Sequence, residues 1–104
     1  MQDKAKLALG LARKAGALET GTEPCREAVR RKRACLILSA SDISDNTKKR
    51  LKDCGEHYGV EYIDTSMTMD ELSSAIGIKR LASAVAVTDK GLANLIKKAI
   101  YGGM

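Results

Sequence analysis

Residues 75–88 read AIGIKRLASAVAVT, and the second half of this stretch decides the fold. Residues 84–87 form an apolar run without charge, which is typical of a strand covered on both faces, although so short a run also fits a buried helix turn. The first half places Ile78 directly before the cations Lys79 and Arg80. Either this loop packs with its charges in solvent, or it holds an apolar side chain against an unstacked base while the cations bind phosphates.

Helices and strands alternate along the rest of the chain. Apolar patterning predicts further strands at residues 17–20, 35–38 and 60–63. It predicts helices at 3–15, from the 21–24 turn through 29 into a basic run, around 48–54, from 68 to 76, and at 89–100. We therefore expect one domain over residues 1–104, an α/β fold built as a three-layer α/β/α sandwich with a four-stranded mixed sheet.

Local signals set the details of these helices. Leu7, Leu11 and Ala15 share one stripe of the first helix, supported by Ala8 and Ala12, and this stripe is expected to face the core. Thr22 is expected to cap the second helix. The third helix is expected to fray or end at Gly55 or Gly59, and the spacing of residues 68–71 (TMDE) predicts a capping box.

The connections predict which turns meet. Helical crossovers favour parallel directions for the first three strands, whereas the short fourth helix and the long link over residues 77–83 favour an antiparallel fourth strand. The turns near Gly21, at 41–46 and at 78–80 would then share one edge of the sheet. Helix N-termini at such an edge carry unpaired N–H groups and a positive dipole end, which attract phosphate.

Composition narrows the classes of function. The 104 residues carry a net charge of +5 and include three Tyr but no Phe or Trp, so any contact with bases must use aliphatic or Arg side chains. Residues 53–78 contain six acidic residues and no Lys or Arg, so the basic residues lie elsewhere, as suits an oriented contact with a polyanion. No segment resembles a signal peptide or a membrane span, and we expect a cytoplasmic protein.

Cysteine and histidine usage favours a binding protein over an enzyme. The three cysteines have no metal-ligand spacing, and His57 is the single histidine, so we expect no metal, no cofactor and no catalytic centre. Cys25 is expected to be the most accessible thiol.

Four segments in order resemble a known family. They are residues 9–16 (LGLARKAG), the helix introduced by Gly21, residues 34–38 (ACLIL) with 42–49 (DISDNTKK), and residues 75–77 (AIG) with 85–91 (VAVTDKG). Together they resemble the ribosomal-protein L7Ae/L30e family, in particular its bacterial YlxQ-like branch. The resemblance covers nearly the whole chain. It implies an α/β/α sandwich that binds kink-turns, which are sharply bent RNA helices with sheared G·A pairs.

The resemblance also implies where RNA would bind. In the family, the start of the second helix contacts the paired guanines, and the loop before the last strand covers extruded bases with aliphatic side chains. Where family members often have Asn-Glu and then Lys, this chain has Glu23, Pro24 and Glu27. The expected RNA-binding residues are Gly21, Thr22, Glu23, Arg26, Arg30, Ile78, Lys79 and Arg80.

Three functions remain open at this point. The first is an RNA-binding, ribosomal-type protein that acts in a ribonucleoprotein on ribosomal or regulatory RNA. It would use the loops that follow the first and second predicted strands and the loop that precedes the fourth. The second is a small α/β phosphate-handling enzyme that uses the same helix N-termini. The third is a protein-interaction module whose acidic half binds a basic partner. We expect a monomer without membrane contact.

Overall fold

The computed structural model describes residues 2–102. Five helices and four strands alternate in the order α1–β1–α2–β2–α3–β3–α4–β4–α5. The helices are α1 (Gln2–Lys14), α2 (Thr22–Arg30), α3 (Asp45–Tyr58), α4 (Met69–Ile76) and α5 (Lys90–Ile100). The strands are β1 (Leu18–Thr20), β2 (Leu36–Ser39), β3 (Glu61–Asp64) and β4 (Ala84–Val87). The predicted fold is confirmed.

The strand β4 lies inside the sheet and runs against its neighbours. The strand order is β1-β4-β2-β3, with β4 antiparallel to both β1 and β2 and with β2 parallel to β3. Every residue of β2 and β4 is buried, as the uncharged apolar run predicted. The carboxyl ends of β1, β2 and β3 therefore meet the start of β4 at one edge, here called the shared edge, and the predicted antiparallel fourth strand is confirmed.

Alternating strand residues supply two cores, one on each face of the sheet. Leu36, Leu38, Val85 and Val87 pack with buried residues of α1, α4 and α5. On the other face, Ile37 and the small side chains of β4 pack with buried residues of α2 and α3. The sheet is thus covered on both sides, and the three-layer architecture follows.

The prediction for the buried face of α1 is wrong for Leu7, Leu11 and Ala15, which are exposed, whereas Ala8 and Ala12 are buried as expected. Leu7 is 72% exposed and Leu11 is 53% exposed. The buried residues of α1 are mostly alanines: Ala5, Ala8, Leu9 and Ala12. Small side chains let α1 approach α4 closely, since a Cβ added at Gly10 would lie 3.3 Å from the Ala75 carbonyl oxygen. A prediction from hydrophobicity alone places the larger leucines in the core, although the smaller alanines make the closer helix contact.

Three other local predictions are also wrong. Gly55 does not end α3 but lies inside it, whereas the prediction for Gly59 is confirmed, because α3 ends at Tyr58 and Gly59 is its C-cap in the left-handed conformation (φ 74°). Thr22 does not cap α2, because Gly21 occupies the N-cap position and no side chain caps this helix. Cys25 is completely buried, and burial raises the pKa of its thiol far above the ordinary value. The predicted Thr68–Glu71 capping box is confirmed.

Candidate nucleic-acid interface

Hydrogen bonds tie three loops together at the shared edge. The Gly21 N–H donates to the Ala84 carbonyl (2.8 Å), and the Thr22 and Ser83 hydroxyls lie 2.8 Å apart. The Ala40 N–H donates to the Ser83 carbonyl (2.9 Å). The β1–α2 and β2–α3 loops are therefore both fastened to the start of β4, as the sequence predicted for this edge.

The fourth helix is fastened to the same edge. The Met69 N–H at its start donates to the Asp42 carboxylate (2.8 Å), and the Ser41 N–H donates to the Met67 carbonyl (2.8 Å). Asp42 thus satisfies one of the free N–H groups at the helix start. Its interaction is structural, in line with its place in a segment rich in turn and capping residues.

Gly21 gives the second helix its position at the edge. Its φ of 107° lies in a region that side-chain-bearing residues rarely adopt. This conformation lets the Gly21 N–H continue the sheet while its carbonyl accepts from Cys25 N–H (3.0 Å) and starts α2. The N-terminus of α2, with its positive dipole end, consequently opens at the shared edge.

The α4–β4 loop, residues 77–83, is fixed at both ends and open in between. At one end the Ile78 N–H donates to the Ser73 carbonyl (3.1 Å), and at the other the Ala82 N–H donates to the Ser73 hydroxyl (2.7 Å). Between these anchors Lys79, Arg80 and Leu81 are all exposed. We call these three residues the loop tip.

The loop tip joins free positive charge to an exposed apolar side chain. Neither Lys79 nor Arg80 forms an ion pair with any residue of the 2–102 segment. Leu81 is 59% exposed, whereas Ile78 is half-buried and packs against the core. Sequence reasoning selected Ile78 and missed Leu81, because both are aliphatic and three residues apart in an irregular segment. Only the two hydrogen bonds to Ser73, which fix the loop at residues 78 and 82, show that Leu81 is exposed and Ile78 is not.

On α2, the predicted arginines form ion pairs with the helix's own glutamates. Arg26 Nη1 lies 3.0 Å from Glu23 Oε2, which also accepts from Arg50 Nη2 of α3 at 3.0 Å. Glu23 therefore joins α2 to α3. The Nε of Arg26 is buried without a hydrogen-bond partner among the described residues, so this arginine retains an unused donor.

Arg30 lies farther from the edge than the sequence indicated. It follows Thr22 by eight residues, which places it about 12 Å along the helix axis. Its Nη2 donates to Glu27 Oε1 at 2.8 Å, and Arg31 donates to the other oxygen of the same carboxylate. Hydrogen bonds from these two arginines, with their positive charge, lower the pKa of Glu27 to about 2. Arg30 is thus engaged on the flank of α2, and the structure brings Gly21, Thr22, Glu23 and Arg26 to the edge without it.

Two features of the described residues bear on other functions. Across residues 2–102, no three His, Cys, Asp or Glu side chains come together in a way that could hold a metal ion. Within the same range, no helix combines the length and the apolar character needed to cross a membrane.

Comparison with known proteins identifies the protein family of this chain. A family described as the ribosomal protein L7Ae/L30e/S12e/Gadd45 family matches residues 3–97. The chain belongs to this family.

Two bacterial proteins are similar to it over most of their length. A protein of Enterococcus faecium named RNA-binding protein YlxQ is 34% identical over 101 residues, covering 97% of this chain and 95% of the relative. Its namesake in Bacillus subtilis (strain 168) is 37% identical over 86 residues, covering 83% and 84%. Both names denote a binding protein rather than an enzyme.

Solved structures share the fold. A Bacillus halodurans protein described as having unknown function superposes with a TM-score of 0.79 at 33% identity, covering 90% of this chain and 97% of that one. A Giardia lamblia protein described as a 15.5 kD RNA binding protein superposes with a TM-score of 0.76, covering 97% and 85%. Its 18% identity shows a common fold alone.

Proposed function

We propose that this protein binds structured RNA at the shared edge, and that its preferred RNA is a kink-turn or a similarly bent duplex with extruded bases. The loop tip is the observation that carries the proposal. It presents an exposed aliphatic side chain beside two cations that have no ion-pair partner in the described chain. The name of the two bacterial relatives supports RNA as the class of ligand.

The chemistry of the edge fits bent RNA better than a straight helix. Proteins recognise structured RNA through its shape and through splayed bases, because the deep major groove of an A-form duplex excludes side chains. An extruded base offers an apolar face that Leu81 can cover, while Lys79 and Arg80 neutralise the phosphates that a sharp bend brings together. A straight duplex offers the cations their phosphates but gives Leu81 no exposed base.

The start of α2 supplies the second half of the interface. Gly21 and Thr22 bring helix N–H groups to the edge, where they can donate to a phosphate or to a base. Arg26 lies one turn farther along α2, where its positive charge can attract a phosphate, and its ion pair with Glu23 holds the side chain in place. Ile78 packs against the core and so fixes the loop, and Arg30 contributes only to the positive electrostatic potential around the edge. The same proposal covers the setting, a cytoplasmic ribonucleoprotein with ribosomal or regulatory RNA.

A comparison of two leucines tests the proposal. Leu81→Ala and Leu11→Ala each remove a leucine that is more than half exposed, the first at the loop tip and the second on α1. Loss of the apolar contact at the tip should weaken binding to a kink-turn by about 1–2 kcal/mol, which is part of the value of burying a whole leucine. Neither change should affect binding to a straight duplex of equal length. Fluorescence anisotropy with both RNAs measures these affinities.

Two results would contradict the proposal. One is equal affinity of the unmodified protein for kinked and straight RNA. The other is a Leu81→Ala protein that binds the kink-turn as tightly as the Leu11→Ala protein does. Circular dichroism melts of both variants verify that each remains folded.

A further inference from the structure

A second surface lies away from the loop tip, between α1 and α5. Leu7 and Leu11 on α1 and Leu95 on α5 are 72%, 53% and 45% exposed. They line an open groove of about 360 Å³ whose other lining residues are Lys4, Ala8, Lys98 and Ala99. We call this surface the leucine groove. Two facing helices that both leave leucines in solvent form an apolar patch of the kind that marks interaction sites.

We propose that the leucine groove binds an amphipathic helix of a protein partner that carries acidic side chains beside its apolar face. Ala8 and Ala99 are the small apolar residues that line the groove beside the leucines, so a helix can approach closely. Leu7 and Leu11 are one turn apart and separated by about 6 Å along α1. This spacing matches apolar residues at positions i and i+4 of a helix laid along the groove.

Charge determines the chemistry of the partner. Among the described residues, the charged side chains that line the groove are Lys4 and Lys98, and none of the lining residues is acidic. Neither lysine forms an ion pair with another residue between 2 and 102. Lys4 also lies in the first turn of α1, where the helix dipole disfavours a cation. Its charge therefore does not stabilise its own helix, but it can pair with an acidic residue of a bound one.

The same charges disfavour a second copy of the chain as the occupant. A twofold contact uses the same patch on both subunits, so it would bring the lysines of one groove close to those of the other. Repulsion between like charges opposes that arrangement. A membrane surface fits poorly as well, because the leucines stand on two walls of a concave groove instead of forming one convex helix face.

The test uses a pair of synthetic peptides of about four helical turns. Both carry leucines on one face, and the flanking residues are Glu in one peptide and Lys in the other. Two-dimensional amide NMR spectra of the full-length ¹⁵N-labelled protein record each titration without RNA. We expect the acidic peptide to shift α1 and α5 resonances and to bind about tenfold more tightly than the basic one, the scale of two exposed ion pairs.

Variants localise the contact. Leu7→Ser should weaken the binding of both peptides at least tenfold. Leu81→Ser, at the exposed loop tip, should leave the affinity for both peptides unchanged. Lys4→Glu combined with Lys98→Glu should reverse the preference, so that the basic peptide binds more tightly. This reversal separates a charge-matched groove from a patch that is merely apolar.

Three outcomes would overturn the proposal. The first is equal binding of the two peptides, or no shifts in α1 and α5 at about millimolar peptide. The second is concentration-dependent dimerisation in analytical ultracentrifugation that Leu7→Ser abolishes, which would assign the groove to a second copy. The third is binding to phosphatidylglycerol vesicles that Leu7→Ser abolishes, which would assign it to a membrane surface.

Discussion

Replacing Gly55 by alanine tests how closely α3 packs on the sheet. In an open helix this change stabilises by about 1 kcal/mol, because alanine is the better helix former. At Gly55, however, an added Cβ would lie 2.6 Å from the Val60 carbonyl oxygen and 3.2 Å from Ile37 Cδ1. The Ile37 methyl can rotate away, but the carbonyl belongs to the backbone that leads into β3.

The clash should outweigh the gain in helix propensity. Relieving it requires Val60 to move, although its own N–H donates to the Gly55 carbonyl at 2.8 Å. Overpacking of this kind costs about 1–3 kcal/mol, so Gly55→Ala should lower the free energy of unfolding by about 1–2 kcal/mol. That corresponds to a fall in Tm of about 4–16 °C for a domain of this size.

Urea unfolding monitored by circular dichroism measures the difference. Gly10→Ala provides a graded comparison, because an added Cβ there would lie 3.3 Å from the Ala75 carbonyl oxygen. A neighbour at that distance needs to move only by tenths of an ångström, so the destabilisation should be smaller than at Gly55. If Gly55→Ala were as stable as the unmodified protein or more stable, the close approach of α3 to β3 would be refuted.

Three further predictions concern charge and hydrogen bonding. If the cations of the protein neutralise about four to six RNA phosphates, the logarithm of the affinity should fall against the logarithm of the salt concentration with a slope near four to five. Lys79→Ala should reduce that slope by about one. Tight binding that does not depend on salt would refute this prediction. The pKa of Glu27 is lowered from 4.5 to about 2, so its ion pairs stabilise the fold above about pH 4.5 and lose that effect as the pH falls toward 2. As the pH falls from about 4.5 toward 2, the Tm of Glu27→Gln should therefore approach that of the unmodified protein. A Tm difference that stays constant over this pH range would contradict the prediction. Ser83→Ala should cost about 0.5–1.5 kcal/mol through the unpaired Thr22 hydroxyl, and a double-mutant cycle with Thr22→Val should show less than the sum of the two effects.

The sheet was predictable because its signals are strong and local. The uncharged run over β4 indicated a buried strand, and the short α4 with the long link over residues 77–83 favoured an antiparallel direction for it. The shared edge followed from that topology alone. These features depend on strand direction and connection length, which a sequence records directly.

The failures arose where packing partners decide the outcome. Leu7 has the pattern of a core residue, but its side of α1 faces solvent because alanines form the closer contact with the neighbouring helices. Glycine often ends a helix, yet Gly55 lies inside α3, where the nearby Val60 carbonyl leaves no room for a Cβ. Leu81 and Ile78 are chemically alike, and only the bonds to Ser73 place one in solvent and the other against the core.

The central position of β4 has a consequence for synthesis of the chain. Its pairing partners β1 and β2 are translated well before it, and they cannot form a sheet with each other because β4 lies between them. At about 5–20 residues per second, the ribosome needs several seconds after β2 to supply the missing strand. Until then, β1 lacks the strand it pairs with, and β2 can pair with β3 alone. The acceptors at Ser83 and Ala84 that hold the β1–α2 and β2–α3 loops are also absent, so a nascent chain should complete the shared edge in a single late step.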